Sequence, residues 1–191
     1  KMEKSEKYIP AASFDWMTPF YDTLVRWILP ESKMKNHMIR KAPIRPENRL
    51  LDVGCGTGTL AILLKRTHPE ARVVGIDGDS KILEIARNKA TKTGVEITLD
   101  EGMAFELPYR ADSFEHVFSS FVMHHLTDEN KQKTLLEIRR VLKPGGELHV
   151  ADFRRLNKSL PETFRAAGFN EVEEYAKYRT IVSTVSLWRA W

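Results

Sequence analysis

The stretch LLDVGCGTGTL, Leu50 to Leu60, ends an apolar run with three glycines at every second position, Gly54, Gly56 and Gly58. The run before them reads as a buried strand, and the amphipathic TLAILLKRTH after them reads as a helix. The glycines therefore occupy a strand-to-helix turn, where a missing Cβ lets the backbone approach a bound group closely. Outward from this turn the same rhythm repeats. ARVVGID, VEITLDEG, SFEHVFSSFVM and GELHVADF read as strands, and KILEIARNKATK and NKQKTLLEIRRVL read as helices. Strands separated by helix-length segments build a parallel sheet covered by helices, so the fold class is α/β, doubly wound.

Local signals set the expected boundaries. Ser80 is expected to cap KILEIARNKATK, with Glu84 in its first turn and Gly94 closing it; Asp128 is expected to cap the next helix, which KPGG ends at Lys143. After GELHVADF the pattern changes. PETFRAAGF reads as a short helix, and EVEEYAKYRTIVSTVSLWRA as two strands of a terminal hairpin that adds antiparallel strands at one sheet edge. Ahead of Arg49, FDWMTPFYDTLVRWILP is aromatic and amphipathic, and Pro19 and Pro30 break it into helical pieces. Residues 1–48 are read as a helical lid or flank, and residues 49–191 as the main domain.

At 191 residues with 42% hydrophobic content, the chain supports one well-buried core. Its 30 basic and 26 acidic residues are scattered, so the net charge of +4 reflects a mixed solvated surface and demands no nucleic-acid partner. The densest basic stretch, Lys33 to Arg45, carries Met34, Met38 and Ile39 at helical spacing and reads as a solvated helix face. The single cysteine, Cys55, excludes an internal disulfide and a multi-cysteine metal site and fits a reducing cytoplasm. No apolar run approaches the ~20 residues that span a bilayer, and KMEKSEK lacks the apolar centre of a signal peptide.

Asp77 closes the second strand, VVGID, where a carboxylate can accept two hydrogen bonds from a ribose diol, so a nucleotide-type cofactor is indicated. The spacing is G-x-G-x-G, not the G-x-G-x-x-G of nicotinamide sites, and Asp52 stands just ahead of it. A pyrophosphate at the helix N-terminus would be repelled by that charge, whereas a cofactor with a cationic amino-acid part would welcome it.

Together with VVGIDGDS, EGMAFELPY, SFEHVFSSFVMHHL and LLEIRRVLKPGGELHVADF, the glycine stretch resembles the class I S-adenosylmethionine-dependent methyltransferases, most of all those of ubiquinone and menaquinone biosynthesis. The resemblance implies a Rossmann-like, doubly wound, seven-stranded sheet, mostly parallel with an antiparallel C-terminal strand. It also implies S-adenosyl-L-methionine as cofactor, leaving as S-adenosyl-L-homocysteine, and direct displacement onto an O-, C- or N-nucleophile of a small molecule. On the same ground Asp52, Gly54, Gly56 and Gly58 face the homocysteine and ribose parts, Asp77 holds the ribose hydroxyls, and Gly78 leaves room for adenine. Where many relatives carry an aspartate for the adenine amino group this chain has Met103, whose thioether would pack on the purine while the Ala104 amide meets a ring nitrogen. Ser120 and Phe121 are expected beside the methionine part, and Tyr21 as a lid; core packing is the competing reading for Phe121 and Tyr21.

Methyl displacement needs in-line geometry and exclusion of water more than an enzyme nucleophile. A general base helps a hydroxyl or activated ring carbon, and His124 and His125 are the candidates, with a structural or capping role as the competing reading. His37, His68, His116 and His149 read as structural, and no metal is expected. A quinone-like or phenolic acceptor suits the aromatic N-terminal segment, which could also rest on a membrane surface. Relatives carry a sizeable helical segment between the fifth strand and the helix resembling PETFRAAGF. Here DFRRLNKSLPETF connects them in a few residues, so either the acceptor side is open or residues are lacking near Arg155 to Ser159, the latter being our expectation. The rival readings are a non-catalytic protein of the same fold that binds cofactor or a partner, and a nicotinamide oxidoreductase.

Overall fold

The computed structural model describes residues 31–157, 159–180 and 183–191. In chain order the elements are α1 (Glu31–Lys41), β1 (Arg49–Val53), α2 (Thr59–Thr67), β2 (Arg72–Asp77), α3 (Ser80–Lys92), β3 (Thr98–Glu101), β4 (Phe114–Ser120), α4 (Asp128–Val141), β5 (Leu142–Phe153), α5 (Leu160–Ala166), β6 (Val172–Arg179) and β7 (Thr184–Ala190). Short 3-10 turns span Met123–His125 and Arg154–Leu156. The seven strands lie in the order β3-β2-β1-β4-β5-β7-β6. The first five are parallel, and β7 runs antiparallel between β5 and β6. The expected hairpin is therefore present, with its second strand inserted next to β5. Strand order reverses between β1 and β4, which opens a ligand crevice at their C-terminal ends.

Alternation along the strands divides the core. Leu51, Val53, Val117, Leu148 and Val150 face α4 and α5 through Leu135, Ile138 and Phe164. Leu50, Phe118, Ala151 and Leu187 face the other way, against Leu60 and Leu64 of α2 and Met34, Met38 and Ile39 of α1. A fully buried side chain of this size contributes roughly 1.5–3 kcal/mol. The basic stretch from Lys33 is thus carried largely on α1, a helix laid on the sheet that ends at Lys41, and its Lys35 is buried and paired with Glu31. The expected lid residues, Tyr21 among them, lie outside the described residues.

Two caps sit one residue earlier than expected. Asp79, not Ser80, caps α3, its carboxylate accepting from the Lys81 and Ile82 amides; Thr127, not Asp128, caps α4 by accepting from the Asn130 amide. In each case the cap has extended backbone and the expected residue is already the first of the helix. Gly94 ends α3 with φ +64°, as expected. Helix α4 stops at Val141, and Lys143-Pro144-Gly145-Gly146 belongs to the long β5. Among the described residues, no helix is long and apolar enough to cross a membrane.

Candidate active site

All three loop glycines adopt left-handed backbone, with φ of +67°, +52° and +72° at Gly54, Gly56 and Gly58. Their surroundings differ. A Cβ on Gly54 would lie 2.3 Å from Val122 Cγ2, and one on Gly58 would lie 3.1 Å from Ala86 Cβ, whereas one on Gly56 would meet nothing within 4 Å. Two of the glycines therefore admit neighbours from this chain, and Gly56 faces open space. The loop is tied to β2: the Gly54 and Cys55 amides donate to the Ile76 carbonyl, and the Gly56 amide donates to Asp77 Oδ2 at 2.8 Å. Asp77 Oδ1 accepts from the Asp79 amide at 3.1 Å, so each oxygen keeps a lone pair for a further donor. Burial raises the Asp77 pKa, against the pull of the Gly56 and Asp79 amides.

Asp52 has no exposed surface, and neither carboxylate oxygen has a hydrogen-bond partner among the described residues. Burial pushes its pKa up to about 7, with Lys35 and the nearby Ala61 amide pulling it down and Asp77 adding to the rise. A buried carboxylate without a partner is costly until a cation or donor reaches it. Cys55 is buried in the same loop, and burial together with Asp52 and Asp77 raises its thiol pKa, so it is no nucleophile.

At the end of β2, Met103 lies against Gly78: a Cβ there would sit 2.9 Å from its sulfur. Gly78, Glu101, Gly102 and Met103 line a cavity of about 320 Å³, at the small end for an organic ligand. Ala104 packs, partly buried, against the α4 side of the core.

Beyond β4, Ser120 is half-buried and Phe121 has φ +60°. An aromatic residue in this region costs on the order of 1–3 kcal/mol, and such strain persists where the surroundings impose it. Here the Phe121 amide donates to the Ala151 carbonyl at 2.8 Å, and its ring lies 5.3 Å from that of Phe153. The next residue, Val122, fills the space left by Gly54, so the β4 exit and the glycine loop are packed together.

Two residues on, His124 Nδ1 donates to Asp152 Oδ1 at 2.7 Å, and the His124 and Phe153 amides donate to the same carboxylate. Asp152 is fully buried at the end of β5. With the Nδ1 proton committed to Asp152, Nε2 is left as the basic nitrogen. His125 is exposed, stacked beside His124 at 3.9 Å between ring centres, and the described residues give its ring no hydrogen bond. Partial burial and then His124 lower its pKa, against Asp152. The structure thus distinguishes the paired histidines. Sequence reasoning did not single out Asp152, although a carboxylate at the C-terminal end of a parallel strand was a usable signal.

A family model described as a methyltransferase domain matches residues 50–146, just over half of the chain. The chain belongs to the methyltransferase family. Among its relatives, the demethylmenaquinone methyltransferase of Thermus thermophilus is 36% identical over 142 residues, which are 73% of this chain and 64% of that protein. The 2-phytyl-1,4-naphtoquinone methyltransferase of Trichormus variabilis is 31% identical over 159 residues, 81% of this chain and 69% of that one. This methyltransferase-family chain spans a little under two thirds of the length of the Thermus protein. The YcgJ protein of Bacillus subtilis superposes with a TM-score of 0.73 at 19% identity, covering 83% of this chain and 97% of that chain, a likeness of fold.

Proposed function

We propose that this protein binds S-adenosyl-L-methionine at the glycine loop and transfers its methyl group by direct displacement to a small molecule of the quinol or phenol class. The His124–Asp152 pair carries this assignment, because an imidazole oriented by a buried carboxylate at the ends of β4 and β5 is placed to deprotonate an acceptor there. The residues present fit the cofactor. Asp52 is a buried carboxylate lacking a partner, Gly56 opens onto free space, and Gly78 and Met103 border a cavity. When bound, the cofactor supplies a methyl group made electrophilic by a positive sulfur.

The chain's own groups do the remaining work. Asp77 accepts the ribose hydroxyls on the lone pairs its amide partners leave, and Asp52 ionises opposite the cationic end. Met103 and the Ala104 backbone border the adenine, and Ser120 marks the methionine side. The Phe121 and Phe153 rings offer faces to positive charge, worth roughly 0.5–2 kcal/mol when desolvated. His124 Nε2 takes the proton of the acceptor hydroxyl, while Asp152 fixes the ring and steadies the imidazolium.

The acceptor class rests on the names of the quinone methyltransferases above and on the aromatic segment 14–29, read as a lid including Tyr21 that can touch a membrane surface. The same reading takes residues 49–191 as the catalytic domain and the cytoplasm as its compartment. A purely structural cofactor binder is not favoured, since the matching family model and the relatives above are methyltransferases. The test is calorimetric titration of the intact chain with S-adenosyl-L-homocysteine beside Asp77→Ala. Micromolar binding lost in the variant supports the proposal; no binding by the intact chain refutes it.

A further inference from the structure

In the first half of β4 and the middle of β5, three donor side chains converge on one face of the sheet. His116 and Glu147 are register partners across these strands, and His149 follows two residues later on the same face. The ligand atoms of all three lie within 4.8 Å of one another. His149 Nε2 is 3.2 Å and His116 Nδ1 is 3.9 Å from Glu147 Oε2. His116 Nδ1 is beyond hydrogen-bond reach of Glu147, the His149 Nε2 contact is close without full hydrogen-bond geometry, and His149 Nδ1 has no partner among the described residues. His149 has no exposed surface. A buried polar group left in this way costs roughly 1–3 kcal/mol, and two of them around one carboxylate call for a common partner.

We propose that His116, Glu147 and His149 bind a divalent transition-metal ion of the zinc class. Metal–ligand bonds of about 2.0–2.2 Å in a tetrahedron place ligand atoms roughly 3.4 Å apart, and the two measured edges fall on either side of that separation. Two imidazoles with one carboxylate suit zinc or cobalt, not the oxygen-rich shells of calcium and magnesium. Burial lowers the pKa of both histidines, His116 to about 4, which keeps the imidazoles in the neutral form that ligates.

A supporting shell is in place. The Arg189 guanidinium grips both oxygens of Glu147, with Nε 3.0 Å from Oε2, and so fixes the carboxylate without blocking its remaining lone pairs. Of the other cations nearby, Lys41 pairs with Glu173 and Lys143 with Glu115, while Arg45 lines the wall of the adjoining cavity. A cavity of about 280 Å³ is walled by His116 and Glu147 together with Asn48, Glu115 and Lys143. It gives an ion a route in and leaves space for a fourth, water ligand. Bound there, the ion ties β4 to β5 and, through Arg189, to β7.

The test is titration of the chelator-treated full chain with Co2+, followed by visible absorption and by displacement with Zn2+. The expected result is one ion per chain, affinity at least about tenfold lower in both His116→Gln and Glu147→Gln, and retention in His124→Gln. Circular dichroism checks that the variants fold. If they do not, X-ray absorption at the cobalt edge of the wild-type protein decides, two imidazoles and a carboxylate being expected. No saturable spectrum in the wild type, an undiminished one in folded His116→Gln, or a shell without imidazole overturns the proposal.

Discussion

Replacing Asp52 with asparagine separates what the buried carboxylate costs from what it does. Its pKa is about 7 in the folded protein and 3.8 when unperturbed, a difference of about 3 units, or roughly 4 kcal/mol at ~1.4 kcal/mol per unit. Because the folded value is the raised one, the stabilisation is full below the unfolded pKa and lost as pH rises to the folded one. Between these limits the unfolded chain has released the proton that the folded chain keeps, and each pH unit removes about 1.4 kcal/mol. The asparagine variant has no such proton. From about pH 5 to about pH 7 it should therefore gain about 3 kcal/mol on the wild type, and the gap should then stay level. Urea denaturation of both proteins through this range measures it. Saturating S-adenosyl-L-homocysteine, whose amino group supplies a cation, should narrow the gap above about pH 7, while the variant binds that ligand more weakly. A stability difference that does not change between about pH 5 and pH 7 would refute the reasoning.

Gly54→Ala should lower unfolding stability by several kcal/mol in thermal or urea melts, since it combines left-handed backbone with a clash against Val122. Gly56→Ala, with open space around it, should cost about 1–2 kcal/mol yet abolish cofactor binding in calorimetry. His124→Gln and Asp152→Asn should each lower kcat by about 10²- to 10⁴-fold with cofactor affinity unchanged, and His125→Ala should lie within about threefold of wild type in the same turnover assay.

Much of the fold was legible in the sequence because it is written in short-range chemistry. Apolar runs of strand length alternating with amphipathic helices give β1 to β5 directly, and two strand runs without a helix between them give the β6–β7 hairpin. The caps came out one residue late at Ser80 and Asp128 because adjacent polar residues compete for the role, and only backbone angles decide between Asp79 and Ser80. At the site, the glycine spacing and Asp77 were legible, but the division of labour among the glycines was not. That Gly54 accommodates Val122 and Gly58 accommodates Ala86 depends on residues 68 and 28 positions away. Asp152 was passed over for the same reason: its partner His124 is 28 residues earlier, and only the parallel β4–β5 pairing brings the two together. His116 and His149 look structural one at a time, and their convergence on Glu147 is a property of strand register.

The most direct test of the central claim is a turnover measurement: the intact chain is incubated with S-adenosyl-L-methionine carrying an isotopically labelled methyl group and a panel of demethylated naphthoquinols and simple phenols, with products read by mass spectrometry. The expected result is a product bearing the labelled methyl together with matching S-adenosyl-L-homocysteine, both reduced at least about a hundredfold in His124→Gln. Tight cofactor binding with no labelled product from any quinol or phenol, or equal product from His124→Gln, would contradict it.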